Sequence, residues 1–304
     1  MKKYPIATII NFCTNESRFL KVSLEQALTY SAQVIVPVCD HFFDGTPENR
    51  HLLEAIYRAF PEVQFVEYPF IPKRIPKGIF KTVAPAHFWH SLSRLIASSF
   101  LDEEIESVLF LDADEIPDGS RFSEWLGCSD YTLHTALKMA NYWYFREPRY
   151  RAEKWEDSIV LAQKRALQPH LLLRQEEREA IYDSLPGPKR RMVVGVDGNP
   201  MFHHYSWVRT EEEMMKKVRS WGHREDRDWE ALVKKEFAGP FQGVDFVHNY
   251  RFQTVEPAFE VHFDDPHFPP KGKENVKRVT DDEVLRAAKL GRESRWKALF
   301  PFFS

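Results

Sequence analysis

The alternation of two hydrophobic periods over the first 115 residues is the feature that most constrains the fold of this chain. Apolar, largely β-branched runs at residues 6–12, 34–38, 63–66 and 107–111 predict four buried strands. The segments between them carry apolar residues at helical spacing. Strands that alternate with helices predict an α/β fold: a Rossmann-type mixed, mostly parallel sheet flanked by helices, with right-handed crossovers.

The second half of the chain is less regular and more polar. Two capping boxes, Thr210 with Glu213 and Thr280 with Glu283, predict where two of its helices begin. With 304 residues, the chain has room for one large domain with a sizeable core. The sequence therefore predicts an irregular α+β C-terminal portion attached to the α/β half.

Charge and cysteine content exclude several classes of function. The 42 basic and 45 acidic residues give a net charge of −3, so no global field recruits nucleic acid, and we expect no nucleic-acid partner. Cys13, Cys39 and Cys128 form no CxxC pair, which argues against a disulfide framework and a zinc knot. The apolar stretch at the N-terminus is too short to span a bilayer. These features predict a cytoplasmic protein with no integral membrane segment.

The sharpest motif follows the fourth predicted strand and reads Asp112-Ala113-Asp114. Because side chains on a strand repeat every two residues, we expect both carboxylates on one side of the pleat. Two hard oxygen donors suit Mn²⁺ or Mg²⁺, which keeps positions open for phosphate oxygens. An EF-hand calcium loop is excluded, because Ile116 and Pro117 stand where a ligand and a glycine are needed. The motif predicts a divalent ion that neutralises charge on a leaving phosphate group.

Residues 5–120 resemble the nucleotide-binding half of GT-A glycosyltransferases. The likeness is to family-2-like enzymes and to β-1,4-mannosyl-glycoprotein N-acetylglucosaminyltransferases, whose metal motif reads much like residues 112–117. It implies a nucleotide-sugar-binding half at residues 1–120 and an acceptor-binding and C-terminal portion of the same domain at 121–304. The implied reaction moves a hexosyl or N-acetylhexosaminyl group from a UDP-linked donor to a hydroxyl of a glycan or other acceptor, with inversion.

The resemblance also implies roles for individual residues. Asp114 would be the principal metal ligand, and Asp112 would contact ribose or metal-bound water. The implied nucleotide pocket consists of Cys13, Thr14, Asn15, Glu16, Asp40 and Asp44. Residues 44–46 resemble the family's Asp-Gly-Ser/Thr turn, but three residues, 41–43, are inserted between Asp40 and Asp44. This departure leaves the role of each of those two acids open.

A metal-binding histidine and a catalytic base are implied by the same resemblance. The histidine candidates are His203 and His204, of which only one can face an ion if the segment is extended. An imidazole ligand would favour Mn²⁺ over Mg²⁺. Glu156-Asp157 matches the x-Glu-Asp element that supplies the base in inverting members, although an exposed acidic turn would read the same. Glu147 is a second candidate for the base.

Further polar and aromatic residues are candidates for ligand contacts. Those that could bind phosphate are Lys73, Arg74, Lys77, Lys81 and Arg209. Those that could stack on sugar are Trp143, Tyr144, Trp155 and Trp207. Solvated surface charges and ordinary core packing are the competing interpretations of these two sets.

Two other functions fit the sequence. In a phosphatase of the haloacid dehalogenase type, Asp112 would be the nucleophile, Asp114 the acid, and Asp264-Asp265 a metal pair. Against it, Glu115-Ile116 stand where a Thr-x-Thr-like element is expected. A module that binds sugar nucleotides without transfer is the non-enzymatic alternative, since a fold does not determine function.

Overall fold

The computed structural model describes residues 3–76, 85–174, 177–220, 227–261 and 267–299, the side chains of residues 220 and 291–299 excepted. Lys77, Lys81, Asp264 and Asp265 lie outside these ranges. The strands are β1 Tyr4–Asn11, β2 Ser31–Cys39, β3 Gln64–Tyr68, β4 Ser107–Asp112, β5 Glu115–Pro117, β6 Ala136–Phe145, β7 Glu147–Gln163, β8 Lys189–Val193, β9 Phe202–Trp207, β10 Phe252–Thr254 and β11 Val276–Arg278. The helices are α1 Ser17–Tyr30, α2 Arg50–Ala59, α3 Pro85–Ser98, α4 Gly119–Cys128, α5 Pro169–Leu172, α6 Glu177–Ser184, α7 Glu211–Ser220, α8 Trp229–Phe237 and α9 Asp281–Leu299.

One sheet contains all of these strands, and its main path runs β11-β3-β2-β1-β4-β7-β6-β9-β5. The neighbours β3, β2, β1 and β4 are parallel, and β7 lies antiparallel to β4. The predicted mixed, mostly parallel α/β sheet is confirmed. Across the sheet the strand order is β3, β2, β1 and then β4, so the order reverses between β1 and β4. Open α/β sheets bind ligands at such a reversal, beyond the carboxyl ends of the strands.

Helices cover both faces of the sheet, as the two hydrophobic periods predict. Along β1, Ile6 and Ile10 pack into one core, together with residues of α1 and α2. Ala7 and Ile9 face the opposite core, which includes the apolar stripe of α3. The period of two along the strand thus separates the two cores.

The C-terminal portion adds strands to this sheet and builds a third, aromatic core. Trp143 of β6 and Trp207 of β9 pack there with Met214 of α7 and Trp229 of α8. Both predicted capping boxes are present: the Thr210 amide donates to Glu213 at 2.8 Å, and the Thr280 amide donates to Glu283 at 2.7 Å. The second box begins a helix of 19 residues.

Within the part of the chain that is described, no helix combines the length and the apolar character needed to cross a bilayer.

Gly119, the first residue of α4, lies against α1 at a point where a side chain has no room. Its amide donates to the Gln26 side chain at 2.9 Å, and an added Cβ would lie 2.6 Å from the Gln26 carbonyl oxygen. We therefore expect Gly119→Ala to lower the free energy of unfolding by about 1–3 kcal/mol, because backbone must move. Gly239→Ala is the matched control, since its Cβ would meet nothing within 4 Å. Denaturant unfolding of both variants checks this, and equal stabilities would contradict it.

Candidate functional site

A cavity of about 1010 Å³ opens at the carboxyl ends of β1, β2 and β4. The candidate residues that line it are Cys13, Thr14, Asn15, Glu16, Asp44, Asp112, Asp114, Trp143, Glu156, His204, Trp207 and Arg209. Those that are described but do not line it are Lys73, Arg74, Asp40, Tyr144, Glu147, Trp155, Asp157 and His203. Lys81 lies outside the described residues. The sheet therefore brings most of the candidates together in one place.

Asp112 is held by cations from two helices. Its Oδ1 accepts from Arg94 Nη2 at 3.0 Å and lies 3.2 Å from His90 Nε2. Its Oδ2 accepts from Arg178 Nη2 at 3.2 Å. Burial disfavours the charged form, but Arg178, His90 and Arg94 together hold the pKa of Asp112 well below its usual value. Both oxygens of this carboxylate are therefore engaged within the protein.

Two further acids, Glu177 and Glu115, complete the network around Asp112. Glu177 accepts from His87, His90 and Arg94 at 2.8–3.0 Å. Glu115 is fully buried and pairs with Arg178. Burial opposes ionisation of both acids, yet the neighbouring cations lower the pKa of each. These ion-paired side chains lie together on one side of the cavity.

Asp114 has quite different surroundings. The chain leaves the strand after Asp112 and turns at Ala113 and Asp114, so the alternation of a strand does not extend to Asp114. Its Oδ1 lies 3.8 Å from His204 Nε2, and its Oδ2 lies 3.8 Å from Arg209 Nη2 and 3.9 Å from Lys217 Nζ. These distances exceed hydrogen-bond lengths. Burial raises the pKa of Asp114, and the charge of Glu16 raises it further. A cation bound here would offset both effects.

The two adjacent histidines lie on opposite sides of β9. His204 lines the cavity, where its register opposite Glu115 of β5 places it beside Asp114. Its Nδ1 is buried and has no hydrogen-bond partner among the described residues. His203 is 5% exposed, and its Nδ1 interacts with the Tyr144 hydroxyl at 2.7 Å in a packed aromatic cluster. Burial lowers the pKa of His203 to about 3, so this ring is neutral.

Glu156 and Asp157 also face opposite ways, because both lie within β7 and not in an acidic turn. Glu156 lines the cavity, with its Oε2 4.0 Å from His204 Nδ1 and its Oε1 3.7 Å from His248 Nε2. Asp157 is bound by Arg191 at 2.9 and 3.0 Å and by Lys138 at 3.0 Å. The other candidate base, Glu147, is half-exposed and pairs with Arg149. Of the three acids, Glu156 is the one that a bound acceptor could contact.

Two cations stand beside Asp114: Arg209, just before α7, and Lys217, in its last turn. Arg209 is 3% exposed, and both oxygens of Glu16 accept from its Nη2, at 2.6 and 2.7 Å. Lys217 donates to Ser206 Oγ at 2.8 Å, and burial, reinforced by Arg209, lowers its pKa. No motif in the sequence points to Lys217. The sequence feature that could have identified it is its position on the first helix after the histidine pair, two turns beyond the capping box.

The loop after β2 forms the far end of the cavity. Asp44 accepts from the Thr46 amide at 2.8 Å in a turn where Gly45 has a φ of 91°, a conformation that favours glycine. Asp40 does not line the cavity and accepts from the Phe70 amide at 2.7 Å. Glu48 is the buried acid that lines this end. Arg74, predicted to bind phosphate, pairs instead with Asp281 and Asp282 of α9.

The described residues contain no ready-made group of three or more side chains that could ligate a metal ion. The Asp114 carboxylate and His204 Nε2 are nevertheless a pair of suitable donors that face each other in the cavity. Two ligands of one octahedral ion lie about 3 Å apart, so a small approach of these atoms from 3.8 Å would suffice. The donor set fits an ion that takes two protein ligands and completes its shell with water and phosphate oxygens.

Comparison with known proteins gives distant structural likenesses. No known family's sequence profile matches the chain, and no curated protein matches it in sequence. Among solved structures, it is similar to an rv0371c homologue from Mycobacterium sp. strain JC1 (9% identity, 64% of this chain and 88% of that chain covered, TM-score 0.32). It is also similar to the glycosyltransferase GlyE of Streptococcus pneumoniae TIGR4 (10%, 76% and 63%, 0.37) and to an active-site mutant of LgtC (11%, 76% and 95%, 0.36).

The network of ion pairs around Asp112 predicts a pH-dependent contribution to stability from His90. Burial opposes protonation of His90, but Glu177 and Asp112 raise its pKa to about 9, above the ordinary value of 6.5. The stabilisation is therefore fully present below pH 6.5 and is lost as the pH rises through about 9. We expect the stability difference between the unchanged protein and His90→Gln to shrink between pH 6 and pH 9.5. Denaturant unfolding at both pH values measures it, and a constant difference would exclude a charged His90.

Proposed function

We propose that this chain is a metal-dependent glycosyltransferase of the GT-A type, which transfers a sugar from a nucleoside-diphosphate donor to an acceptor hydroxyl. One observation carries the proposal. In a single cavity, a carboxylate and an imidazole face each other across 3.8 Å, the cations Arg209 and Lys217 stand within 4 Å of that carboxylate, and Glu156 stands 4.0 Å from the same imidazole. Cation-binding, phosphate-binding and proton-accepting groups thus meet at one point.

The diphosphate of the donor would lie at the cationic end of the cavity. Mn²⁺ or Mg²⁺ bound by Asp114 and His204 would supply a Lewis acid that neutralises charge on the departing nucleoside diphosphate. Arg209 and Lys217 would donate hydrogen bonds to the same phosphate oxygens. Because both oxygens of Glu16 accept hydrogen bonds from Arg209, the guanidinium is already ordered before the donor binds.

The acceptor would approach from the side of Glu156, where Trp143, Trp207 and His248 line the cavity. The acceptor oxygen forms a bond to the anomeric carbon, while the bond from that carbon to the diphosphate oxygen breaks. The hydroxyl proton passes to the Glu156 carboxylate, which acts as the general base. A direct displacement of this kind inverts the anomeric centre. We propose a hexosyl or N-acetylhexosaminyl group as the sugar.

The two rival functions have less support from the site. A phosphatase would need Asp112 as a free nucleophile, but both of its oxygens are engaged by Arg94, His90 and Arg178. Binding of a sugar nucleotide without transfer would not require a proton-accepting carboxylate at the position of Glu156. The three free cysteine thiols are compatible with the cytoplasm, which we retain as the proposed location.

Glu156 and Asp157 provide a test of the base with a matched control. Glu156→Gln keeps the shape of the side chain but removes proton acceptance, so we expect transfer to fall roughly 10²–10⁴-fold with donor binding retained. Asp157→Asn, one residue along the strand and facing away, should keep its transfer rate. Release of nucleoside diphosphate from sugar nucleotides in the presence of Mn²⁺ measures both variants. Full activity in Glu156→Gln would remove this residue from the mechanism.

The two acids of the Asp112-Ala113-Asp114 motif should differ when substituted. Asp114→Asn and His204→Gln each remove one proposed ligand, and we expect either change to weaken Mn²⁺ binding at least tenfold. Loss of a residue that only orients a metal ligand already weakens metal binding by that amount, so loss of a ligand should cost no less. Asp112→Asn should instead mainly lower thermal stability, because it breaks the pairing with Arg94 and Arg178. Calorimetric titration with Mn²⁺ in the presence of UDP, beside thermal unfolding, separates the two effects. Unchanged Mn²⁺ affinity in Asp114→Asn would contradict the metal assignment.

A further inference from the structure

We propose that His248 positions the acceptor by donating a hydrogen bond to the attacking hydroxyl, while Glu156 accepts the proton of the same hydroxyl. This role deepens the proposed function and rests on it, because it presupposes transfer to a hydroxyl that lies at Glu156. His248 stands between α8 and β10, in a segment without a recognisable motif.

The loop that carries His248 is built around one buried carboxylate. Asp245 is 1% exposed, and its Oδ1 accepts from the amides of Val247 and His248, both at 2.6 Å. Its Oδ2 accepts from the Tyr250 amide at 2.7 Å. Arg227 adds a bond to the Val247 carbonyl oxygen at 3.2 Å. Because these bonds fix the backbone on both sides of His248, its side chain starts from an ordered position.

Aromatic contacts set the direction of the imidazole. The His248 ring meets Trp143 in a T-shaped contact with centroids 5.0 Å apart, and it stacks on Tyr250 at 5.1 Å. Trp143 belongs to β6, where it lies opposite His204 of β9. The sheet and the loop thus hold the imidazole together, on the side of the cavity from which the acceptor would approach.

The imidazole faces Glu156 without bonding to it. His248 Nε2 lies 3.7 Å from Glu156 Oε1, which exceeds the length of a hydrogen bond. A hydrogen on Nε2 is favoured, because this nitrogen faces a carboxylate. The other oxygen, Oε2, lies 4.0 Å from Nδ1 of His204, the proposed metal ligand. The carboxylate therefore turns one oxygen toward the proposed metal and the other toward His248, whose side chain is 42% exposed.

One hydroxyl oxygen can bond to both groups at once. An oxygen that is about 2.8 Å from each of two atoms separated by 3.7 Å lies at the apex of a triangle. A hydroxyl has one hydrogen and two lone pairs, so it can donate to Glu156, accept from His248 and keep one lone pair.

The remaining lone pair is the one that reacts. It forms the bond to the anomeric carbon, while the bond from that carbon to the diphosphate oxygen breaks and the hydroxyl proton moves to Glu156. His248 keeps its hydrogen throughout. Its contribution is to hold the attacking oxygen in place, which removes part of the entropic cost of the reaction.

Two substitutions of His248 separate this role from simple packing. His248→Gln keeps an N–H donor near the place of Nε2 but loses the ring, whereas His248→Phe keeps the ring contacts with Trp143 and Tyr250 but loses the donor. We expect the transfer rate at saturating donor to fall roughly 10- to 100-fold in His248→Phe and only a few-fold in His248→Gln. KM for the donor should stay unchanged in both, because the bond is made to the acceptor.

The assay follows release of nucleoside diphosphate by the whole chain from UDP-glucose, UDP-N-acetylglucosamine or GDP-mannose in the presence of Mn²⁺. A mixture of methyl glycosides serves as the hydroxyl probe, beside water alone. Thermal unfolding and calorimetric binding of UDP with Mn²⁺ check that each variant keeps its fold and its donor site. If His248→Phe does not fold, His248→Leu replaces it, since leucine also lacks a donor.

Each outcome decides between the two levels of the account. A loss in His248→Gln that equals or exceeds the loss in His248→Phe would show that the ring matters and not the donor, and would overturn the role of His248. Full activity in both variants, or a raised donor KM in His248→Phe, would overturn it as well. No release by the unchanged protein from any donor, with or without the glycosides, would contradict the proposed function itself.

Discussion

The pairing of β5 with β9 is the constraint on which the site depends. Glu115 lies opposite His204 in this pairing, so a residue from the C-terminal half of the chain is fixed beside the turn that carries Asp114. The β9 strand is held in turn by its parallel pairing with β6, where Trp143 lies opposite His204. Because β6 and β7 are also paired, Glu156 belongs to the same framework. The imidazole and Glu156 are therefore positioned by sheet hydrogen bonds, and Asp114 by the short turn between β4 and β5, which leaves the site little reorganisation to undergo.

The charges around this framework fall into two groups with different consequences. Asp112, Glu115 and Glu177 are paired with Arg94, Arg178 and His90, and burial of such pairs costs solvation that short hydrogen bonds only partly offset. The side chains of this group already bond to one another, so they offer few hydrogen bonds to a ligand. Asp114, in contrast, lies among His204, Arg209 and Lys217 at distances near 4 Å, with none of them donating a hydrogen bond to it. In the proposed function, Asp114 lies where the metal ion and the phosphates would bind.

The sequence predicted the parallel half well, because buried strands and amphipathic helices have distinct periods that local sequence records. It also predicted that Asp112 and Asp114 stand at the carboxyl end of the fourth strand and that Cys13 to Glu16 line a pocket beside the first, and these residues do line the cavity. It did not predict the separation of Asp112 from Asp114, because the chain turns after Asp112 and strand alternation no longer applies. Asp40, expected to meet the base, does not line the cavity, and the path of the inserted loop at residues 41–43 is not recorded in the local sequence pattern. Lys217, Arg178 and Glu177 come from distant helices, and their meeting at the cavity is a property of tertiary packing that one sequence does not display.

The most direct test of the central claim is the position of Mn²⁺ in crystals grown with a nucleoside diphosphate, read from the anomalous signal of the metal. The proposed function predicts one peak at bonding distance, about 2.1 Å, from the Asp114 carboxylate and from His204 Nε2, with phosphate oxygens completing the coordination. A peak elsewhere in the molecule would contradict it. So would a bound diphosphate that contacts Arg209 and Lys217 with no metal between it and Asp114.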